Sequence, residues 1–84
     1  MSKWEKLIHD ILKEDPNLRF EDLSKALQKM GYVLHQPHSG GSHYTFRKPE
    51  YLPITIPKHK SLKRVYVSMV AEIVKEQLKE ESDE

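Results

Sequence analysis

The chain contains no cysteine among its 84 residues. A disulfide framework and cysteine-based zinc sites are therefore excluded, and this composition fits a reducing compartment. No apolar run approaches the roughly 20 residues that a membrane-spanning helix needs, and the start of the chain does not resemble a signal peptide. These absences predict a cytoplasmic protein without a membrane partner.

The short length predicts a single domain over residues 1–84, with a small core and only modest stability. Such a chain has no room for a deep pocket and a cofactor-binding fold, so we expect a surface site and no cofactor. The signatures of several enzyme classes are also missing. The sequence has no glycine-rich phosphate-binding loop, no H-E-x-x-H motif and no paired carboxylates at a strand end.

Charge is unevenly distributed along the chain, although the net charge is only +1. Residues 1–30 are balanced, residues 31–64 carry six basic and one acidic side chain, and residues 65–84 carry two basic and six acidic side chains. The middle segment also holds four of the five histidines. A local basic surface is typical of nucleic-acid binding. The alternative is a fluctuation of charge that only aids solubility.

Apolar residues at helical spacing predict three helices. The first covers about residues 3–14 and ends before Pro16, because the residue preceding a proline disfavours the α region. The second carries apolar residues from Phe20 to Met30 and stops at Gly31. The third covers about residues 65–79 and is followed by a frayed acidic tail. Its predicted apolar face comprises Tyr66, Met69, Val70, Ile73, Val74 and Leu78.

Three short strands are predicted between the second and third helices. They cover residues 32–34, 42–47 and 54–56, with turns over 35–41 and 48–53 and a basic loop over 58–64. Alternation along the second strand turns Tyr44 and Phe46 toward the helices, and His43, Thr45 and Arg47 toward solvent. The order α-α-β-β-β-α predicts an α+β two-layer sandwich, in which helices cover one face of a three-stranded antiparallel sheet.

His43 is the main candidate for chemistry on the open side of this sheet. Imidazole exchanges protons near neutral pH, and RNA supplies its own nucleophile in the 2′-hydroxyl group. A histidine beside a cationic surface can therefore cleave RNA without a metal ion. The alternative is that it caps the hairpin or contacts a phosphate without catalysing. The residues expected to contact RNA are Gly41, Ser42, Thr45, Arg47, Lys58, His59, Lys60, Lys63 and Arg64.

The spacing of His35, His38 and His43 is the one pattern that suggests a metal site. Imidazole is a common metal ligand, but the segment offers no cysteine, and Glu50 is its only acidic residue. We therefore expect no specific metal site.

The segment GGSHYTFRKP, followed by ITIPKHKSLKRVYV, resembles the HicA-type (YcfA-like) toxins of bacterial and archaeal toxin–antitoxin systems. The resemblance covers roughly Phe20 to Val74 and depends on the order of four pieces. These are a helix ending in Met30-Gly31-Tyr32, a Gly-Ser-His strand start, an Ile-Pro-Lys-His element and a final helix.

The resemblance implies a fold like the double-stranded-RNA-binding domain. It also implies metal-independent cleavage of mRNA that arrests translation, with His43 as the catalytic histidine of the Gly-Ser-His motif. The implied partner is a HicB-type antitoxin that covers this surface. Within the domain, residues 18–79 form the HicA-like part, residues 1–17 an extra N-terminal helix and residues 80–84 an acidic tail.

Two other interpretations stay open at this point. The chain has the same fold and basic face if it is a non-catalytic RNA-binding module. The extra helix at the N-terminus can instead act as the contact surface of a homodimer.

Overall fold

The computed structural model describes residues 2–36, 41–59 and 62–82. The strands form one antiparallel sheet in the order β1-β2-β3, and the helices pack on one of its faces. The predicted α+β class and the order α-α-β-β-β-α are confirmed. The elements are α1 (Lys3–Leu12), α2 (Phe20–Lys29), β1 (Val33–His35), β2 (His43–Arg47), β3 (Ile54–Pro57) and α3 (Arg64–Ser82).

Helix α1 is shorter than its apolar pattern predicts. It starts at a serine cap, where the Ser2 hydroxyl accepts a 3.1 Å hydrogen bond from the Glu5 N–H. It ends at Leu12 instead of residue 14, because Glu14 adopts a left-handed φ of 54° that a helix does not allow. The Glu14 carboxylate accepts a hydrogen bond from Ser68 on α3, so the turn that ends α1 also fastens it to α3.

Helix α2 ends in a Schellman motif, as Gly31 predicts. Gly31 has a φ of 101°, its N–H donates to the Gln28 carbonyl at 3.1 Å, and the Tyr32 N–H donates to the Leu27 carbonyl at 3.0 Å. Only glycine adopts such a φ without a steric penalty. The chain therefore leaves α2 in a fixed direction and enters the sheet two residues after Gly31.

The first strand lies one residue later than predicted. The Tyr32 N–H is already used by the helix cap, so the ladder begins with Val33 opposite Arg47 and continues to His35 opposite Thr45. The prediction that His35 belongs to a turn is therefore wrong, because its backbone is part of β1. The other two strands differ by one residue each from the prediction, since β2 starts at His43 and β3 extends to Pro57.

The inner face of the sheet packs against the helices as the alternation predicts. Phe46 is fully buried, and its ring centroid lies 6.0 Å from that of Phe20 on α2. The Phe20 ring also lies 5.1 Å from the ring of Tyr44. Ile11 of α1 is buried in the same core. The outer face of the sheet is consequently left uncovered by the helices.

Helix α3 is longer than predicted and presents a slightly different face to the core. It continues to Ser82, so the expectation of a frayed tail from residue 80 is wrong for residues 80–82. Met69 and Leu78, predicted on the apolar face, are 39% and 44% exposed. The buried positions at helical spacing are Val67, Val70, Ala71 and Val74.

The contact between α1 and α3 contains a carboxylate, that of Glu14, whose surroundings lower its pKa. The hydrogen bond from Ser68 is the main cause that lowers the pKa of Glu14, and the Arg64 guanidinium, 3.5 Å away, lowers it further. A carboxyl group whose pKa is lower in the folded state stabilises the fold above its ordinary pKa of 4.5. This stabilisation is lost as the pH falls through the lower, folded-state pKa.

We expect Glu14→Gln to be less stable than the wild type at pH 7, with the difference shrinking as the pH falls below 4.5. Urea unfolding of both chains between pH 7 and pH 3 measures this. Glu72→Gln is the control, since Glu72 forms only an exposed pair with Lys75. A difference between Glu14→Gln and the wild type that stays constant across this range would contradict the assignment.

Candidate nucleic-acid interface

His43 is held at the start of β2 by the neighbouring strand. The Ser42 carbonyl accepts a 2.6 Å hydrogen bond from the Lys58 N–H, and His43 itself is paired with Pro57. The His43 side chain is exposed, whereas Phe46 on the other side of the strand is buried. The alternation predicted for β2 is therefore present, and the imidazole faces away from the core.

The outer face of the sheet, here called the open face, collects polar groups from all three strands. Directly paired residues share a face, so His35 on β1 lies beside Thr45 on β2, and Thr45 lies beside Thr55 on β3. The two threonine hydroxyls are 3.2 Å apart and share a hydrogen bond. The open face comprises Val33, His35, His43, Thr45, Arg47, Thr55 and Pro57.

The electrostatic character of the open face suits a polyanion. It presents the guanidinium of Arg47, two imidazoles and two hydroxyls. Within the strand residues that the structure describes, this face carries no carboxylate. A phosphate backbone can therefore approach without repulsion from the sheet itself.

Lys58 and His59 belong to a different surface from His43. The Lys58 ammonium lies 5.8 Å from the centroids of both the Phe20 and Tyr44 rings, so its side chain turns toward the helix side of the sheet. A cation over an aromatic face is held in place by the ring quadrupole. Lys58 then lines an open cleft at the edge of the sheet, here called the edge cleft, with Arg19, Glu21 and His59.

Arg19 is a candidate contact that sequence reasoning missed. It occupies the N-cap position of α2, is exposed, and its backbone N–H donates to the Asp22 carboxylate at 2.9 Å. Serine, threonine, aspartate and asparagine prevail at N-caps, so the sequence gives no sign that Arg19 stands at the start of α2. Residues 1–30 carry equal numbers of basic and acidic side chains, so their net charge of zero gave no indication of a basic site at Arg19.

Comparison with known families decides what kind of protein carries these two surfaces. A family model described as HicA toxin of bacterial toxin-antitoxin matches residues 20–78. The chain belongs to the HicA toxin family. Neither the curated proteins nor the solved structures that were compared include a significant match to it. Family membership implies that the protein acts with an antitoxin partner.

The match leaves α1 outside the HicA region, which begins at the first residue of α2. Arg64, expected to contact RNA, faces this added segment, since its Nε lies 3.5 Å from the Glu14 carboxylate. Its side chain is 83% exposed, so one face of the guanidinium stays open to solvent. Lys63 is exposed next to it, at the start of α3.

The remaining predicted contacts of this HicA-family chain lie around the first hairpin and the loop before α3. Gly41 is exposed and Ser42 half-buried where the chain enters β2. Lys60 lies outside the described residues, as does His38 of the weak histidine pattern. Within residues 2–36, 41–59 and 62–82, no three histidine, aspartate or glutamate side chains form a group that could hold a metal ion.

The helices of the described residues give no membrane-spanning candidate. None of them combines the length and the apolar character that crossing a bilayer requires.

Proposed function

We propose that this HicA-family chain is an endoribonuclease that cleaves mRNA without a metal ion and so arrests translation. His43 acts as a general acid or base in this reaction. The observation that carries the proposal is the open face, where an exposed imidazole lies near a threonine hydroxyl and on the same surface as a guanidinium, with no carboxylate among the described strand residues of that face.

The side chains of the open face lie at different distances from His43, and we assign them different roles on that basis. Thr45 follows His43 on the same face, two residues or about 7 Å along the strand. Arg47 lies four residues away, about 13 Å, which suits a neighbouring phosphate of the RNA backbone better than the one being cut. Arg47 therefore serves mainly to position the RNA, while His43 and its closest neighbours meet the scissile phosphate.

The edge cleft extends this surface around the end of the sheet. Lys58 reaches it from just after β3 and Arg19 from just before α2, so two cations from distant parts of the chain line one groove together with Glu21. A single-stranded RNA that crosses His43 continues toward these cations and binds them through its phosphates. Gly41, Ser42, His59, Lys60, Lys63 and Arg64 are proposed as further contacts along the same path.

The antitoxin is proposed to be of the HicB type and to cover the open face. RNA and the antitoxin then compete for the same side chains, because cleavage needs His43 exposed. Such mutual exclusion is a sufficient mechanism for inhibition.

Cleavage by the purified chain is expected to persist in EDTA. The nucleophile is the 2′-hydroxyl of the RNA, and the proton transfers need only side chains of the protein. Gel electrophoresis of a long RNA, incubated with and without excess EDTA, measures this. Intact RNA in both samples would contradict nuclease activity, and cleavage only in the absence of EDTA would contradict the metal-free mechanism.

A second candidate function is RNA binding without cleavage. The edge cleft favours it, because its cations are separated from His43 by the sheet and can hold RNA on their own. Retarded but uncut RNA in the gel assay would identify this function.

The edge cleft also gives a prediction that both functions share. We expect Arg19→Gln and Lys58→Gln each to weaken RNA binding several-fold and to reduce the slope of log K against log salt by about 0.7, the value for one phosphate contact of a single strand. Binding titrations at several salt concentrations measure the slope. Lys75→Gln on α3 removes a charge elsewhere and serves as the control. Unchanged slopes would place the RNA away from this cleft.

A further inference from the structure

Metal-free cleavage of RNA by its own 2′-hydroxyl involves two proton transfers. One group removes the proton of the 2′-hydroxyl, and another donates a proton to the departing 5′-oxygen. His43 supplies one of these groups in the proposed function. The structure offers a second imidazole for the other, and the inference that follows rests on that proposed function.

His35 lies on the same face of the sheet as His43, on the neighbouring strand. It is paired directly with Thr45, which makes it the diagonal neighbour of His43 across the β1–β2 ladder. Diagonal neighbours in an antiparallel pair are separated by roughly 7–8 Å. Both imidazoles are exposed, so their ring nitrogens are accessible to a ligand on the sheet.

This separation suits one phosphate group between the two rings. Each imidazole needs a hydrogen bond of about 3 Å to the oxygen that loses or gains a proton. The attacking and leaving oxygens lie on opposite sides of the phosphorus in an in-line displacement. Two groups on either side of the phosphate are therefore better placed than two groups on one side.

Among the residues that the structure describes, the other groups near His43 are poorly suited to this role. Arg47 is the remaining charged side chain of the open face within the described strands, and a guanidinium does not lose its proton in proteins. The open-face residues of β3, Thr55 and Pro57, are uncharged. Lys58 turns to the helix side of the sheet, over Phe20 and Tyr44, and His59 lines the edge cleft with it.

We propose that His35 is the second catalytic residue, which completes a pair of proton-transfer groups with His43. One histidine takes the proton of the 2′-hydroxyl as the 2′-oxygen bonds to phosphorus. The bond from phosphorus to the 5′-oxygen breaks, and the other histidine donates its proton to that oxygen. The products are a 2′,3′-cyclic phosphate and a 5′-hydroxyl end, and no water or co-reactant is consumed.

The test compares His35→Ala and His43→Ala on two RNA substrates. One is ordinary RNA, and the other carries sulfur in place of the bridging 5′-oxygen, which leaves without needing a proton. Each variant is expected to lose about 10²–10⁴-fold in kcat on ordinary RNA. On the sulfur substrate, only the variant that lacks the proton donor regains a rate close to that of the wild type.

The pH dependence gives a second readout that a merely structural role would not change. The wild type is expected to show a bell-shaped profile of kcat/KM, and each variant to lose one limb of it. His35→Gln keeps a polar side chain of similar size and should behave like His35→Ala. His9→Ala is the matched control, because His9 is an exposed histidine on α1.

Each of the following outcomes overturns the proposal. If His35→Ala cleaves RNA at the wild-type rate, His35 takes no part in catalysis. If His43→Ala is inactive in the same assay, the proposed function still stands. A His35→Ala variant that is slow but keeps both limbs of the pH profile would show that His35 only helps to bind the RNA. The same conclusion would follow if the sulfur substrate restored the cleavage rate of neither variant or of both. A wild-type chain that cuts neither substrate would overturn the proposed function together with this inference.

Discussion

His43→Ala is expected to cleave RNA about 10²–10⁴-fold more slowly than the wild type, because one positioned proton-transfer group contributes about that factor. RNA binding should change much less, since the cations of the open face and the edge cleft stay in place. The measurement is single-turnover cleavage of a labelled RNA, with binding determined separately by titration.

The fold is expected to tolerate this substitution. His43 is exposed, and exposed substitutions away from caps and networks usually change stability by less than about 0.5 kcal/mol. His43→Gln and His9→Ala accompany the experiment, the first as a polar replacement and the second as a distant exposed histidine. Undiminished cleavage by His43→Ala would remove the catalytic role from this residue.

Ile11→Ala is expected to cause the largest loss of stability among the changes considered, about 2–5 kcal/mol. Ile11 is completely buried, with 0% of its surface exposed, and it belongs to the same core as Phe46. In a domain of this size such a loss lowers Tm by roughly 10 °C or more. Thermal unfolding followed by circular dichroism measures it.

The result bears on the status of α1, which lies outside the HicA match. Ile8→Ala is the matched control, because Ile8 is on the same helix and only partly buried. A much larger effect at position 11 would show that α1 is part of the folding unit. Equal and small effects at both positions would show instead that α1 is a peripheral addition.

The face on which His43 lies could be predicted because β2 alternates strictly. Tyr44 and Phe46 are the apolar members, and burying them leaves His43, Thr45 and Arg47 outside. The end of α2 was equally predictable, since Gly31 is the residue type that a left-handed cap requires. In these places local residue type and global packing favour the same structure.

The position of His35 could not be predicted in the same way. The segment that follows it contains Pro37, Ser39 and two glycines, which are turn formers, and Tyr32 looks like the first residue of a strand. The N–H of Tyr32 is instead used by the α2 cap, which delays β1 by one residue and brings His35 into the ladder opposite Thr45. Register of this kind depends on a hydrogen bond between backbone groups five residues apart, which residue types alone do not specify.

The direction of Lys58 also required the structure. The sequence indicates a basic loop over residues 58–64 and does not distinguish the directions of its side chains. Because β3 extends to Pro57, the alternation continues and turns Lys58 toward Phe20 and Tyr44. The length of α3 was missed because its last residues are acidic, whereas Glu80 accepts a 3.5 Å hydrogen bond from the Tyr51 hydroxyl.

The open face is proposed to cleave RNA through the 2′-hydroxyl of the substrate. The most direct test is mass spectrometry of the RNA ends produced by the purified wild-type chain in excess EDTA. We expect a 2′,3′-cyclic phosphate on one side of each cut and a 5′-hydroxyl on the other. Intact RNA, or cuts that carry 3′-hydroxyl and 5′-phosphate ends, would contradict this account.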